Sequence, residues 1–362
     1  MCNLTQTTKV VKEFDEKSLY FLKFALQDEA QHIIRECLPA YRRKDYCNCH
    51  RLSIKPSLTS QVLLNNETRR AYYHRVVTCS NATLCPVCAP RISAFRCDEI
   101  SKASMLHLKA DPDNALYLLT LTCRHSSANY LPSLLSSFKR AMSYFFGRSD
   151  VQHFFLSLGV IGRITAHEVT YSDLSGYHPH CHILLFGKRS FCSAAYISSL
   201  WLKCLQKHGL DGLDGIALQF QPADNVKNYL TKISQEMVLF HLKHGRTNGH
   251  FTPMQLLNEA SCGEVWARTA FATIFSAYYG KHLLHWSKGL KSRFGIKTVT
   301  DDDITSNDAE AQKFSLILEI PFKIFNSLSH YKRAEILGKV SHGDYSSLRD
   351  WLVLNKKYIP VL

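Results

Sequence analysis

The chain has 362 residues, of which 46% are apolar, enough for a sizeable core, and that excludes a disordered chain. Lys and Arg number 44 against 30 Asp and Glu, a net charge of +14 that points to a polyanionic partner, nucleic acid before an anionic membrane. No apolar stretch approaches the roughly 18–20 residues of a bilayer span, and the opening MCNLTQTTKVVKEFDEKS lacks an apolar signal core. The expectation is therefore no membrane partner and a cytoplasmic protein whose 13 cysteines are reduced.

Residues 16–45 carry apolar side chains at helical spacing and close on Arg42, Arg43 and Lys44. Residues 46–100 are Cys-rich and less regular. ALYLLTLTC (115–123) reads as a buried strand, and LPSLLSSFKRAMSYFFG (131–147) as an amphipathic helix stopped at Gly147. GVIGRITAHEVTY (159–171) reads as a strand, SDLSG (172–176) as a turn, and GYHPHCHILLF (176–186) as the return strand of an antiparallel hairpin. AAYISSLWLKCLQKHG (194–209) is a predicted helix and IALQFQP (216–222) a strand. DNVKNYLTKIS (224–234) is a helix that Asp224 or Asn225 can cap.

Residues 252–295 look helical with a basic close, 300–312 look like an acidic polar linker, and 313–362 like a small helical tail. This order predicts an α+β fold, with a central antiparallel sheet carrying helices on one face. The expected divisions are an N-terminal helical segment (1–46), a Cys-rich zinc-binding module (47–109), a sheet-bearing domain (110–243), a helical extension (244–299), the linker (300–312) and a C-terminal helical segment (313–362).

The cysteines cluster. Cys85 and Cys88 form a C-x-x-C turn stiffened by Pro86, and Cys79 lies six residues upstream. CNCH (47–50) offers a fourth ligand from Cys47, Cys49 or His50, and Cys49 is preferred. Four such donors suit a closed, structural Zn2+ site. No thioredoxin-like frame surrounds the pair, which argues against a redox role. Arg91 and Arg96 follow the turn and are placed to meet phosphates.

The second cluster lies in GYHPHCHILLF. Residues i and i+2 of a strand share a face, so His180 and His182 point one way and Cys181 the other. A third ligand is available on the neighbouring strand, where His167 and Glu168 face opposite ways; Glu168 is preferred and His167 is the alternative. Two imidazoles and a carboxylate leave coordination positions open and suit Mg2+ or Mn2+ at a phosphate. One helix later, Tyr229 and Lys232 stand three residues apart and share a face. A tyrosine can attack a phosphodiester and keep the DNA end, and a neighbouring lysine favours the ionised phenol.

YLLTLTC, HPHCH and NYLTK, in this order, resemble the three motifs of rolling-circle replication initiators of small bacterial plasmids, within the HUH endonuclease superfamily. CSNATLCPVCAPR and the stretch from TPMQLL to HWSKGLKSRFG add to the resemblance, which covers roughly residues 47–295. It implies a metal-dependent, site-specific nicking endonuclease acting on plasmid origin DNA. His180 and His182 would be the metal pair and Tyr229 the nucleophile, leaving a 5′-phosphotyrosine and a free 3′-OH for a host polymerase, with a host helicase. Some relatives place a glutamate four residues before the tyrosine as the base for termination; here Asn225 stands there, beside Asp224. Asn228 precedes Tyr229, which argues against a two-tyrosine mechanism, and His178 fits the pattern in a positioning role. A relaxase or transposase of the same superfamily, or a non-enzymatic zinc DNA-binding regulator, are the alternative readings.

Overall fold

The computed structural model describes residues 16–37, 39, 46, 48–55, 59–82, 84–190, 194–222, 249–306, 314–348 and 359–360. In chain order the elements are α1 (Glu16–Cys37), β1 (Ser60–Asn65), β2 (Ala71–His74), α2 (Cys88–Ala110), β3 (Asn114–Thr122), α3 (Leu131–Gly147), α4 (Ser149–Ser157), β4 (Gly162–Ser172), β5 (Gly176–Lys188), α5 (Ala195–Lys207) and β6 (Leu218–Pro222). There follow α6 (Pro253–Ser261), α7 (Val265–Tyr278), β7 (Leu284–Trp286), α8 (Leu290–Arg293), α9 (Asp301–Ser306), β8 (Phe314–Ile320), α10 (Phe322–Ser327), α11 (His330–His342) and β9 (Ile359–Pro360). The fold is α+β, with antiparallel sheets and helices.

Chain contacts divide it into two compact units. One comprises Met1–Ile92, Leu257–Ala272 and Val299–Leu362; the other comprises Ser93–Leu256 and Thr273–Thr298.

The second unit is built on a sheet of order β6-β3-β5-β4-β7, in which every pairing is antiparallel. β4 and β5 form the expected hairpin, paired from Gly162↔Phe186 to Ser172↔Gly176. Gly176 has φ +74°, and a Cβ there would come within 2.8 Å of the Ser126 carbonyl oxygen, so only glycine opens the His-bearing strand at this close approach.

Both faces of the sheet are covered, which is why β3 and β5 are nearly continuous apolar runs. One core combines Leu119, Leu121, Cys181 and Ile183 with Phe138, Phe145 and Trp201. The helix α3 buries Leu131, Leu134, Phe138, Ala141, Met142 and Phe145 at helical spacing, and Pro132 stands in its first turn. The other core combines Leu116, Ile164, Leu184 and Phe186 with Ile100 and Ala103 of α2 and with Leu290. Glu99 of α2, 6% exposed, lies between Arg96 Nη1 at 2.8 Å and Lys291 Nζ at 2.7 Å.

The first unit carries the sheet β2-β1-β8-β9. Its core buries Phe24, Ile33 and Ile34 from α1, Val62 and Leu64 from β1, and Ile336 and Val340 from α11. Ser329 caps α11 by accepting from the Lys332 amide, and Gly343 ends it at φ 71°.

The C-terminal third differs most from the sequence expectation. Residues 314–320 form a strand, paired from Phe314↔Asn65 to Ile320↔Ser60, rather than part of a helical tail. FSLILEI has the alternation of a strand, but nothing local names its partner, which lies some 250 positions earlier in the chain. Asp301–Ser306, within the expected linker, is a short helix whose three aspartates sit in the first turn, where the helix dipole favours them. Leu284–Trp286, expected helical, pairs with β4. The Cys-rich stretch holds the β1–β2 pair, and Ser149–Ser157 forms a further helix.

Candidate metal centres and functional site

Cross-strand register builds the first centre. Glu168 on β4 stands opposite His180 on β5, and Ala166 stands opposite His182. On the other side of β5, Thr122 faces His180 and Thr120 faces His182. His180, His182 and Glu168 therefore project from one face of the sheet, at the end of the core formed by Leu184 and Phe186. His167 pairs with Cys181 and projects from the opposite face. The choice between Glu168 and His167 is thus resolved by the pleat, since only Glu168 can meet the histidine pair.

The three ligand atoms lie within 4.8 Å of one another. Glu168 Oε2 is 3.0 Å from His180 Nε2 and 3.1 Å from His182 Nε2. Donors bonded at about 2.1–2.2 Å and at right angles would stand roughly 3.0 Å apart, so the set fits a divalent cation. The carboxylate is buried, with a relative exposure of 4%, and a buried charge of this kind requires a compensating positive group.

The outer nitrogens are also held. His182 Nδ1 is 3.0 Å from Thr120 Oγ1, and His180 Nδ1 is 3.3 Å from the His178 carbonyl oxygen. A carbonyl only accepts, so His180 donates from Nδ1, and in the neutral ring Nε2 is the atom with a lone pair for a cation held between it and Glu168. Thr122 Oγ1 lies 2.7 Å from His178 Nε2, and the His178 ring stacks on His125 with centroids 4.5 Å apart. Burial lowers the His178 pKa to about 3, with His180, His125 and His250 adding to the effect, so this imidazole is neutral. Thr120, Thr122, His125 and His250 escaped the sequence reading. The available signal for the threonines was their spacing of two, the same as that of the histidines they face.

The second centre lies in the other unit. Cys49, Cys79, Cys85 and Cys88 bring their sulfurs within 4.8 Å of one another. The separations are 3.4 Å for Cys49–Cys88, 3.9 Å for Cys49–Cys85 and 3.8 Å for Cys79–Cys88. A tetrahedral metal with bonds of about 2.3 Å to sulfur has edges of roughly 3.8 Å, so the four thiols fit a tetrathiolate site. Among the three alternatives for the fourth ligand, Cys49 joins the cluster; Cys47 lies outside the described residues, and His50 is not one of the four. Burial pushes the Cys49 and Cys79 thiols up. At Cys85 burial acts the same way but is overcome by hydrogen bonds from the other three thiols, which pull it well down.

The surrounding chain pins the knuckle. Tyr46 donates to the Leu84 carbonyl at 2.7 Å, Gln27 and Gln31 both donate to the Cys49 carbonyl, and the Cys88 amide points at Cys85 Sγ at 3.5 Å. Arg91 Nη1 donates to the Thr305 carbonyl at 3.0 Å, and its guanidinium lies 5.9 Å from the centre of the Tyr72 ring. Arg96 is engaged by Glu99. Tyr229 and Lys232 lie outside the described residues. No helix among the described residues is long and apolar enough to cross a membrane.

Residues 71–214 match the family model of a replication protein. The chain is 30% identical over 142 residues to a protein rep of Streptomyces lividans, covering 32% of this chain and 31% of that protein. It is 27% identical over 173 residues to a protein rep of Lentilactobacillus hilgardii, covering 44% and 51% respectively. A protein rep of Streptococcus pneumoniae serotype 2 is 30% identical over 118 residues, covering 32% and 35%. The chain thus spans about a third to a half of the length of these relatives. No solved structure matches it significantly.

Proposed function

We propose that this chain, in which residues 71–214 match the replication protein family model, starts plasmid replication by nicking one strand of the origin and holding the 5′ end on a tyrosine. The observation that carries the reading is the convergence of Glu168, His180 and His182 at one end of the sheet, inside the matched segment. Those three residues would hold Mg2+ or Mn2+, and the four cysteines Zn2+. The cation at the histidines, when bound, supplies Lewis-acid polarisation of the scissile phosphate.

The chain's own residues do the rest. Thr120 and the His178 carbonyl orient the two imidazoles, and Glu168 supplies the negative charge of the ligand set. Tyr229 attacks: its Oη–P bond forms as the P–O3′ bond breaks, the phenol gives up its proton, and the departing 3′ oxygen gains one. Lys232, three residues along the chain, would favour the phenolate. The phosphotyrosine keeps the energy of the phosphodiester, so rejoining needs no nucleotide hydrolysis, and the 3′-OH serves a host polymerase working with a host helicase. Arg91 would contact DNA phosphates, and the net charge of +14 supports that partner. The protein would act in the bacterial cytoplasm.

The test is incubation with single-stranded origin-region DNA and Mn2+, followed by mass spectrometry of any covalent adduct. An adduct on Tyr229 is expected. An adduct on another tyrosine would reassign the nucleophile. No adduct, with DNA still bound, would leave a zinc DNA-binding regulator.

A further inference from the structure

Beside the four-cysteine centre, in the same unit, lies a pocket that the nicking chemistry does not use. Its walls include Lys23, His50, Tyr72, Cys88, Arg91 and Thr305. His50 is 8% exposed, and its Nδ1 is buried without a hydrogen-bond partner. A buried polar atom left in this way is costly unless a ligand completes it. A neutral imidazole carries one N–H, and the Nδ1–H tautomer would make this unpartnered atom a donor.

Lys23, half-buried on α1, makes no ion pair or hydrogen bond among the described residues. Its electrostatic neighbours are Cys88, Cys85, Arg91 and Arg70, with no carboxylate among them. A divalent cation held by four thiolates carries two net negative charges. Lys23, Arg70 and Arg91 more than balance these, and Lys23 and Arg91 line the same pocket as a donor that lacks an acceptor. Converging cations and a buried N–H are the requirements of a phosphate group.

We propose that this pocket binds a phosphate of the DNA backbone, with Lys23 and Arg91 supplying charge and His50 a directional hydrogen bond. The inference rests on the DNA-binding reading for the source of the phosphate, but not for the pocket itself. It would fasten the nucleic acid directly to the metal-pinned knuckle.

The test uses the full chain, Lys23→Gln and Lys23→Arg. Binding of a mixed-sequence single-stranded oligonucleotide is measured across a salt series, with bound zinc counted by native mass spectrometry and melting followed against added inorganic phosphate. Lys23→Gln is expected to keep its zinc, to reduce the slope of log affinity against log salt by about 0.7, and to lose the rise in Tm that phosphate gives the wild type. Lys23→Arg is expected to restore both. An unchanged slope and an unchanged response to phosphate would overturn the proposal. So would loss of zinc with the slope unchanged, because Lys23 would then only balance the thiolates. If the wild type binds no oligonucleotide yet phosphate raises its Tm in a Lys23-dependent way, the pocket stands and the DNA reading falls.

Discussion

Thr120 Oγ1 on β3 lies 3.0 Å from Nδ1 of His182 on β5, directly across the strand pair. This bond decides which imidazole nitrogen is presented to Glu168. Thr120→Val keeps the shape and removes the hydroxyl. Divalent cation affinity measured by calorimetry should fall roughly 10–100-fold, the usual cost of losing such an outer partner. Thr120→Ser should retain most of it. Equal affinity in Thr120→Val and wild type would show that packing alone orients the ring.

Glu168 is the carboxylate of the group it forms with His180 and His182. Glu168→Gln keeps the volume and loses the charge, and should weaken Mn2+ binding by at least the roughly 10–100-fold expected at Thr120. Nicking should fall with it at limiting Mn2+ and recover in part at high Mn2+. Unaltered Mn2+ affinity would remove Glu168 from the site.

Tyr229→Phe removes only the phenolic oxygen. Nicking and the covalent adduct should both vanish, while oligonucleotide affinity in a gel-shift titration stays within a factor of about two, because the aromatic ring and the basic residues' phosphate contacts remain. Surviving adduct would direct the search to another tyrosine.

Cys85 lies in the cluster of four thiols and is fully buried. Cys85→Ser should lower stability by about 3 kcal/mol or more, a fall in Tm of roughly 6–12 °C, and prolonged chelation of the wild type should do the same. A variant that has lost its zinc but melts like the wild type would show that the centre does not support the fold.

His167, on the face away from His180 and His182, has its pKa lowered to about 4 by burial, with His285 and Lys139 adding to the effect. The unfolded chain titrates near 6.5. Between these values the unfolded state binds more protons, so stability falls as pH drops from about 6.5 towards 4, by up to ~1.4 kcal/mol per pH unit from this group. Urea unfolding at pH 7 and pH 5 should show a smaller difference for His167→Gln than for the wild type. An identical difference would acquit His167.

The sequence carried the local part of the site well. HPHCH in a strand fixes His180 and His182 on one face, because side chains alternate with a period of two. The spacing of Cys85 and Cys88 likewise forces two sulfurs towards one point. Glu168 and His167 remained alternatives, because parity on β4 separates them only once the register with β5 is known. Cys49 and Cys47 share a strand-like parity, so spacing alone offered no reason for one over the other.

Features that depend on neighbours along the chain were legible in its residues: the strands and helices around the hairpin, the paired histidines, the C-x-x-C knuckle and the excess of positive charge. Folding alone brings Thr120 to His182, pairs β8 with β1, sets Glu99 against Arg96, and places Lys23 and His50 in a pocket with Arg91. The physical reason is that hydrophobic periodicity reports a residue's face but not its partner. Partners are set by strand register and by packing between segments tens to hundreds of residues apart, where the free energy comes from burial and carries no local signature.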